Sequence, residues 1–173
     1  KGNNMACIFD EDNIQLNIQF DNKYDAIKEA GKILLNRDCI EPEYIDAMIE
    51  REDKVSVYIG NGVAIPHGVG GSEKYIKKSG LSFLQIPEGI DFGDGKIAYL
   101  VIGIAGVDGE HLDILANIAV TCSDVEKVEQ LKKATTKEEI IKCKTEVMDL
   151  FDSYATNTAA LASTSSAGLI TTI

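Results

Sequence analysis

The run from Ile97 to Ala105 constrains the fold more than any other stretch: it carries no charged side chain and is made almost wholly of Ile, Leu, Val, Ala and Gly. It has the length of a strand and falls well short of the ~20 apolar residues that span a bilayer. A strand that is apolar on both faces belongs at the centre of a sheet with helices packed above and below it.

The rest of the chain supplies such partners. Ile14, Leu16, Ile18 and Phe20 alternate with polar residues, the period of a half-buried strand. Asp21 or Asn22 then caps a helix whose apolar face is Tyr24, Ile27, Leu34 and Leu35, ending at Asn36. Pro42 suits the first turn of a second helix, which buries Tyr44, Ile45, Met48 and Ile49 and closes near Arg51 or Asp53. Val55–Ile59, Val63–Ile65 and Leu81–Ile86 read as strands, with Pro66–Gly71 a loop and Pro87–Gly95 a turn-rich excursion. From Glu110 a helix is predicted with Leu112, Leu115, Ile118 and Ala119 inward. Two more come after it, near Asp124–Lys133 and Lys137–Leu150, the latter opened by a Thr136/Glu139 capping box. Alternating strands and helices predict a single α/β domain: a mixed, mostly parallel sheet of about five strands flanked by helices on both faces.

That domain is expected over residues 1–150. In the last 23 residues, 15 are Ser, Thr, Ala or Gly and none is Lys or Arg, so 151–173 is expected to be a flexible tail or an added remnant. A net charge of −11 excludes binding to DNA or RNA and suits a basic partner or plain solubility. The four cysteines, Cys7, Cys39, Cys122 and Cys143, lack the clustering of a zinc site. Reduced, core-filling thiols fit a cytoplasmic protein, and Lys1–Asp10 is too short and polar for a signal peptide.

Two histidines occur, His67 and His111. His67 sits in Gly60-Asn61-Gly62-Val63-Ala64-Ile65-Pro66-His67-Gly68, just past a predicted strand. Pro66 keeps Ile65 extended and limits the direction in which the chain leaves the strand. Gly68, Gly70 and Gly71 leave room for backbone amides to cradle an anion. The bland alternative is a tight surface turn with an incidental His.

Three runs carry a resemblance. Glu41-Pro42-Glu43-Tyr44-Ile45-Asp46-Ala47-Met48-Ile49-Glu50-Arg51-Glu52 resembles the helix before the active site in mannitol/fructose-type enzyme IIA domains of the sugar phosphotransferase system, the mannitol type above all. Ala64-Ile65-Pro66-His67-Gly68 is similar to that family's phosphorylation motif. Leu100–Ala105 and then Glu110-His111-Leu112 resemble its central strand and second histidine. The likeness covers roughly residues 10 to 150.

The resemblance implies that His67 accepts a phosphoryl group from phospho-HPr, the small carrier protein of the system, and passes it to an enzyme IIB domain for uptake of mannitol or a related sugar. His111 would stand beside His67 and steady the phosphoryl group, with Arg51 near the site. No metal or cofactor is expected, no direct membrane contact, and no binding of the sugar itself. Val63, Ile65 and Val69 are candidates for the patch that meets partner proteins, with Asp91 and Asp94 as possible acidic contributors. HPr, basic around its own histidine, would match the acidic charge. Other readings remain open: a regulatory IIA-like domain whose phosphorylation state controls a partner, a metal-dependent hydrolase with both histidines as ligands, and an inactive relative that only binds.

Overall fold

In the computed structural model, residues 7–143 are described; the tail 151–173 and the end of the expected last helix lie outside them. Five strands form one sheet in the order β1-β4-β5-β3-β2, with β1 Ile14–Gln15, β2 Tyr58–Gly60, β3 Val63–Ala64, β4 Gly80–Asp91 and β5 Ile97–Ala105. The apolar run is therefore the middle strand, as its composition predicts. The sheet is mixed, and its pairings divide evenly. β1–β4 and β3–β5 are parallel; β4–β5 and β2–β3 are antiparallel, and the β4–β5 hairpin makes the longest ladder.

Helices cover both faces, giving two cores. On one side α1 (Lys23–Asn36) and α2 (Glu43–Lys54) pack Ala26, Ile27, Ala30, Leu34, Tyr44 and Met48 against Leu84, Ile86 and Val101. On the other, α3 (Glu110–Cys122), α4 (Val125–Lys133) and a fifth helix described over 137–143 cover Phe83, Leu100, Ile102 and Ile104. Successive β5 side chains thus enter opposite cores, which is why the run tolerates no charge.

Local chemistry sets the element ends. Asn22 caps α1, accepting from the Asp25 amide at 3.0 Å. The Thr136/Glu139 capping box forms in both directions. At the end of α2 the buried Glu52 carboxylate holds the corner into β2. It accepts from the Val57 amide at 2.8 Å and the Ser56 hydroxyl at 3.1 Å, and pairs with Lys23 at 2.8 Å.

Four expectations need correction. The strand predicted over 14–20 stops after Gln15, because Asn17 takes φ +56° and its amide donates to the Gln85 side chain instead of a neighbouring strand. Val55 is exposed, and the strand in that region is Tyr58–Gly60, with Val57 adding one bond from the Ile65 amide. Most of the presumed turn after Ile86 is strand: β4 continues through Pro87 to Asp91, with the register slipping between Gln85 and Ile90, where a missing N–H is tolerated. Finally, α3 is rotated from its expected phase. Ile114, Asn117, Ile118 and Cys122 point inward, while Leu112 is 72% exposed and Ala119 faces solvent.

Gln85 links the two halves of the second core. Its amide nitrogen donates to the carbonyls of Leu131, Lys132 and Ala134 at the end of α4, while its oxygen receives Asn17. Gln85→Ala strips partners from several buried groups at once and is expected to destabilise the fold by roughly 2–4 kcal/mol, read from denaturant unfolding.

Candidate functional site

β3 and β5 run parallel, so the segments that leave their C-terminal ends emerge on the same side of the sheet. The first segment carries His67; the second leads into α3, where His111 lies in the first turn. Topology thereby joins two histidines that are distant in sequence: their ring centroids are 5.5 Å apart, with the planes tilted by 55°. Close approach of the β5 end to α3 depends on Gly106, since a Cβ there would fall 2.5 Å from the Cα of His111.

The His67 ring is more enclosed than a loop histidine would be, with 8% of the residue exposed. Its Nδ1 lies 2.7 Å from the carbonyl oxygen of Ile65. A carbonyl only accepts, so Nδ1 carries the proton and the lone pair of the neutral ring sits on Nε2. In His111, Nδ1 is buried with no hydrogen-bond partner among the described residues, an uncommon and costly state for a ring nitrogen.

Burial lowers the proton affinity of both rings. For His67 the Ile65 carbonyl opposes this shift, while the Arg51 and His111 charges add to it. For His111 the Glu73 carboxylate opposes it. Both titrate below the ordinary 6.5. The unfolded chain then binds these protons more readily than the folded one, so folding stability falls as pH drops through 6.5 and levels once pH is under the depressed folded values. In a His67→Gln/His111→Gln double variant this part of the pH slope is expected to disappear from denaturant unfolding curves taken between neutral pH and the carboxylate range.

Arg51 occupies the last turn of α2, half-buried, and its Nη1 donates to the Val55 carbonyl. It therefore steadies the chain after the helix, and its charge also reaches His67. All three residues singled out from the sequence, Arg51, His67 and His111, lie in one neighbourhood.

Two of the three glycine amides expected to cradle an anion, those of Gly68 and Gly71, are engaged elsewhere. In the loop after His67, the Gly68 amide donates to the Tyr44 hydroxyl, Val69 to the Ala47 carbonyl, Gly71 to Glu73 and Ser72 to the Val69 carbonyl. These amides are engaged in holding the loop, while the His111 ring and the Arg51 charge are also close to His67. Gly68 is needed for closeness here, because a Cβ would lie 2.2 Å from Ser72 Oγ and 2.5 Å from the Tyr44 ring. Ser79, also buried, ties down the other segment. Its hydroxyl accepts from the Val107 amide at 3.0 Å and donates to the Glu110 carboxylate. Tyr44 and Ser79 escape sequence reasoning, though a tyrosine on an apolar helix face is itself a signal, since a buried hydroxyl needs a partner.

The expected partner patch is also different. Val63 and Ile65 are buried at 0% and 7% and face the second core; of the three named, only Val69 is partly open. Leu112, next to His111, is the exposed large apolar side chain in this neighbourhood. Asp91 and Asp94 lie at the β4–β5 turn, roughly 25 Å along the strand from the histidines.

The fold, with helices on both faces of a five-stranded mixed sheet, is shared with solved IIA domains of the sugar phosphotransferase system. The chain belongs to the phosphoenolpyruvate-dependent sugar phosphotransferase system EIIA 2 family, whose model matches residues 7–145. It is 51% identical over 140 residues to the mannitol-specific phosphotransferase enzyme IIA component of Geobacillus stearothermophilus, covering 81% of this chain and 97% of that one. With the Staphylococcus aureus component of the same name it shares 46% over 136 residues, covering 79% and 94%. Among solved structures it is similar to the IIA mannitol crystal structure from Escherichia coli, with a TM-score of 0.73 and 34% identity over 79% of this chain and 98% of that one. It is similar also to the Escherichia coli complex of IIAMTL with phosphorylated IIBMTL, with a TM-score of 0.75 and 33% identity over 80% and 97%.

Among the described residues no helix is long and apolar enough to cross a membrane.

Proposed function

We propose that this domain is a cytoplasmic phosphoryl carrier: it takes a phosphoryl group from phospho-HPr onto Nε2 of His67 and hands it to an enzyme IIB domain for uptake of mannitol or a related sugar. The observation that carries this reading is the 2.7 Å contact from His67 Nδ1 to Ile65, which fixes the tautomer and leaves Nε2 as the nucleophile. His111 beside it supports the reading further.

The transfer balances without a base. The donor's P–N bond breaks and its electron pair returns to the donor imidazole, while the Nε2 lone pair of His67 bonds to phosphorus. The proton on Nδ1 stays in place, and the Ile65 carbonyl faces the imidazolium charge that results. Charge spread over the three equatorial oxygens of a loose transition state needs donors and positioning more than covalent chemistry. Arg51 and His111 supply the donors, and the unpaired ring nitrogen of His111 gains an acceptor. Depressed proton affinity keeps the His67 ring neutral at cellular pH. Acidic and apolar groups around the site, Glu73 and Leu112 among them, meet a partner with a basic rim.

A regulatory role is the second reading, since the fold is also similar to the nitrogen regulatory protein IIA-Ntr from Neisseria meningitidis, at 27% identity and a TM-score of 0.65. Passage of labelled phosphate from the loaded domain to purified mannitol IIB separates the two. Transfer supports the carrier; a domain that loads from phospho-HPr and passes nothing on is a regulator.

A further inference from the structure

We infer that Tyr44 is the positioning residue of the phosphoryl-accepting loop: its hydroxyl joins Gly68 to Ile104 of the central strand and so fixes the direction in which His67 presents Nε2. The inference rests on the reading of His67 as the phosphoryl acceptor.

His67 is bracketed by two tethers to the same residue. On one side the Ile104 amide donates directly to the Pro66 carbonyl at 2.9 Å. On the other, Tyr44 bridges. Its hydroxyl accepts from the Gly68 amide at 2.8 Å and donates to the Ile104 carbonyl at 2.8 Å. The residues before and after the imidazole are thereby held to one point of β5, the strand buried in both cores. Tyr44 is 1% exposed and anchored on α2, the helix that also carries Arg51. Burial pushes its phenol up to about 12, so the hydroxyl keeps its proton, and with it the bond to Ile104, at any pH a cell reaches. Gly68, with no side chain, lets the loop lie directly on the tyrosine ring.

Tyr44→Phe keeps the ring that fills the core and removes one oxygen. Both tethered groups then lose a partner, and the chain after His67 loses its tie to β5 at Gly68, its next hold being the Val69 amide on Ala47, while the chain before it stays fixed to β5. At saturating phospho-HPr, phosphorylation of the variant is expected to slow at least about tenfold, while the KM for phospho-HPr stays within about twofold, because docking does not pass through the buried hydroxyl. The His67 titration, tracked by NMR of its ring nitrogens, is expected to move up toward the ordinary value as the ring opens to water. A rate within twofold of wild type, or an unmoved His67 titration, overturns the inference.

A measurement on the unaltered protein guards against a variant that fails to fold. The Gly68 amide is expected to exchange its hydrogen about a hundredfold more slowly than that of Gly70, which is exposed in the same loop. Equal exchange overturns the inference. Should wild-type protein take no phosphate at all, the reading of His67 as acceptor fails, and the His67 titration with Gly68 exchange then decides whether Tyr44 orients the loop.

Discussion

In a His67→Ala variant, incubation with phosphoenolpyruvate, enzyme I and HPr is expected to leave the intact mass unchanged, where the unaltered domain gains one phosphate. The loss should be complete because no other group offers the same combination. Among the described residues the His111 Nδ1 is buried without a hydrogen-bond partner, and no carbonyl contact like that of His67 Nδ1 with Ile65 sets its tautomer. Cys39 and Cys122 give no substitute, since both are buried in the cores and burial raises both thiols, Cys122 to about 12. Stability is a control: the alanine removes a buried ring, but the tethers from Pro66 and Gly68 to Ile104 do not involve the imidazole. A folded His67→Ala protein that still takes up phosphate at a comparable rate would place the acceptor elsewhere.

His111→Ala should give a different defect. His67 remains, so phosphate is still expected to arrive, yet transfer in and out loses one of the two side chains proposed to face the phosphoryl group. Removal of one preorganised donor costs roughly 100-fold in such sites, and a loss of that order is expected for transfer to IIB. The backbone at 111 is held by its helix and by the close packing of Gly106, so the variant keeps its fold. His111→Gln, which restores an N–H, should recover part of the rate. Wild-type transfer by His111→Ala would remove this residue from the reaction.

The meeting of His67 and His111 is legible in the sequence because two short motifs sit just past two strands, and parallel strands deliver their C-terminal segments to one side of a sheet. β5 is legible for a simpler reason, being apolar on both faces. The features that escape the sequence depend on partners far away in the chain. The glycines after His67 suggest an anion cradle, but whether an amide is free depends on what else is near, and Tyr44 and Glu73 engage the amides of Gly68 and Gly71 first. The phase of α3 is misjudged because Leu112 and Ala119 fit an inward face by spacing alone. The helix approaches the sheet from an angle that buries Ile114 and Cys122 instead. The early end of β1 reflects one left-handed residue, Asn17, whose amide bonds to the Gln85 side chain on β4. Asp91 and Asp94 look close to the site only while Pro87–Gly95 is read as a turn; the strand running through it carries them to the far end of the sheet.

The location of phosphate on the loaded wild-type domain bears most directly on the proposed chemistry. Ring-nitrogen NMR of the phosphorylated protein should find phosphorus on Nε2 of His67, with Nδ1 still protonated against Ile65. Phosphate on Nδ1 of that ring, on His111, or on no histidine at all would contradict it.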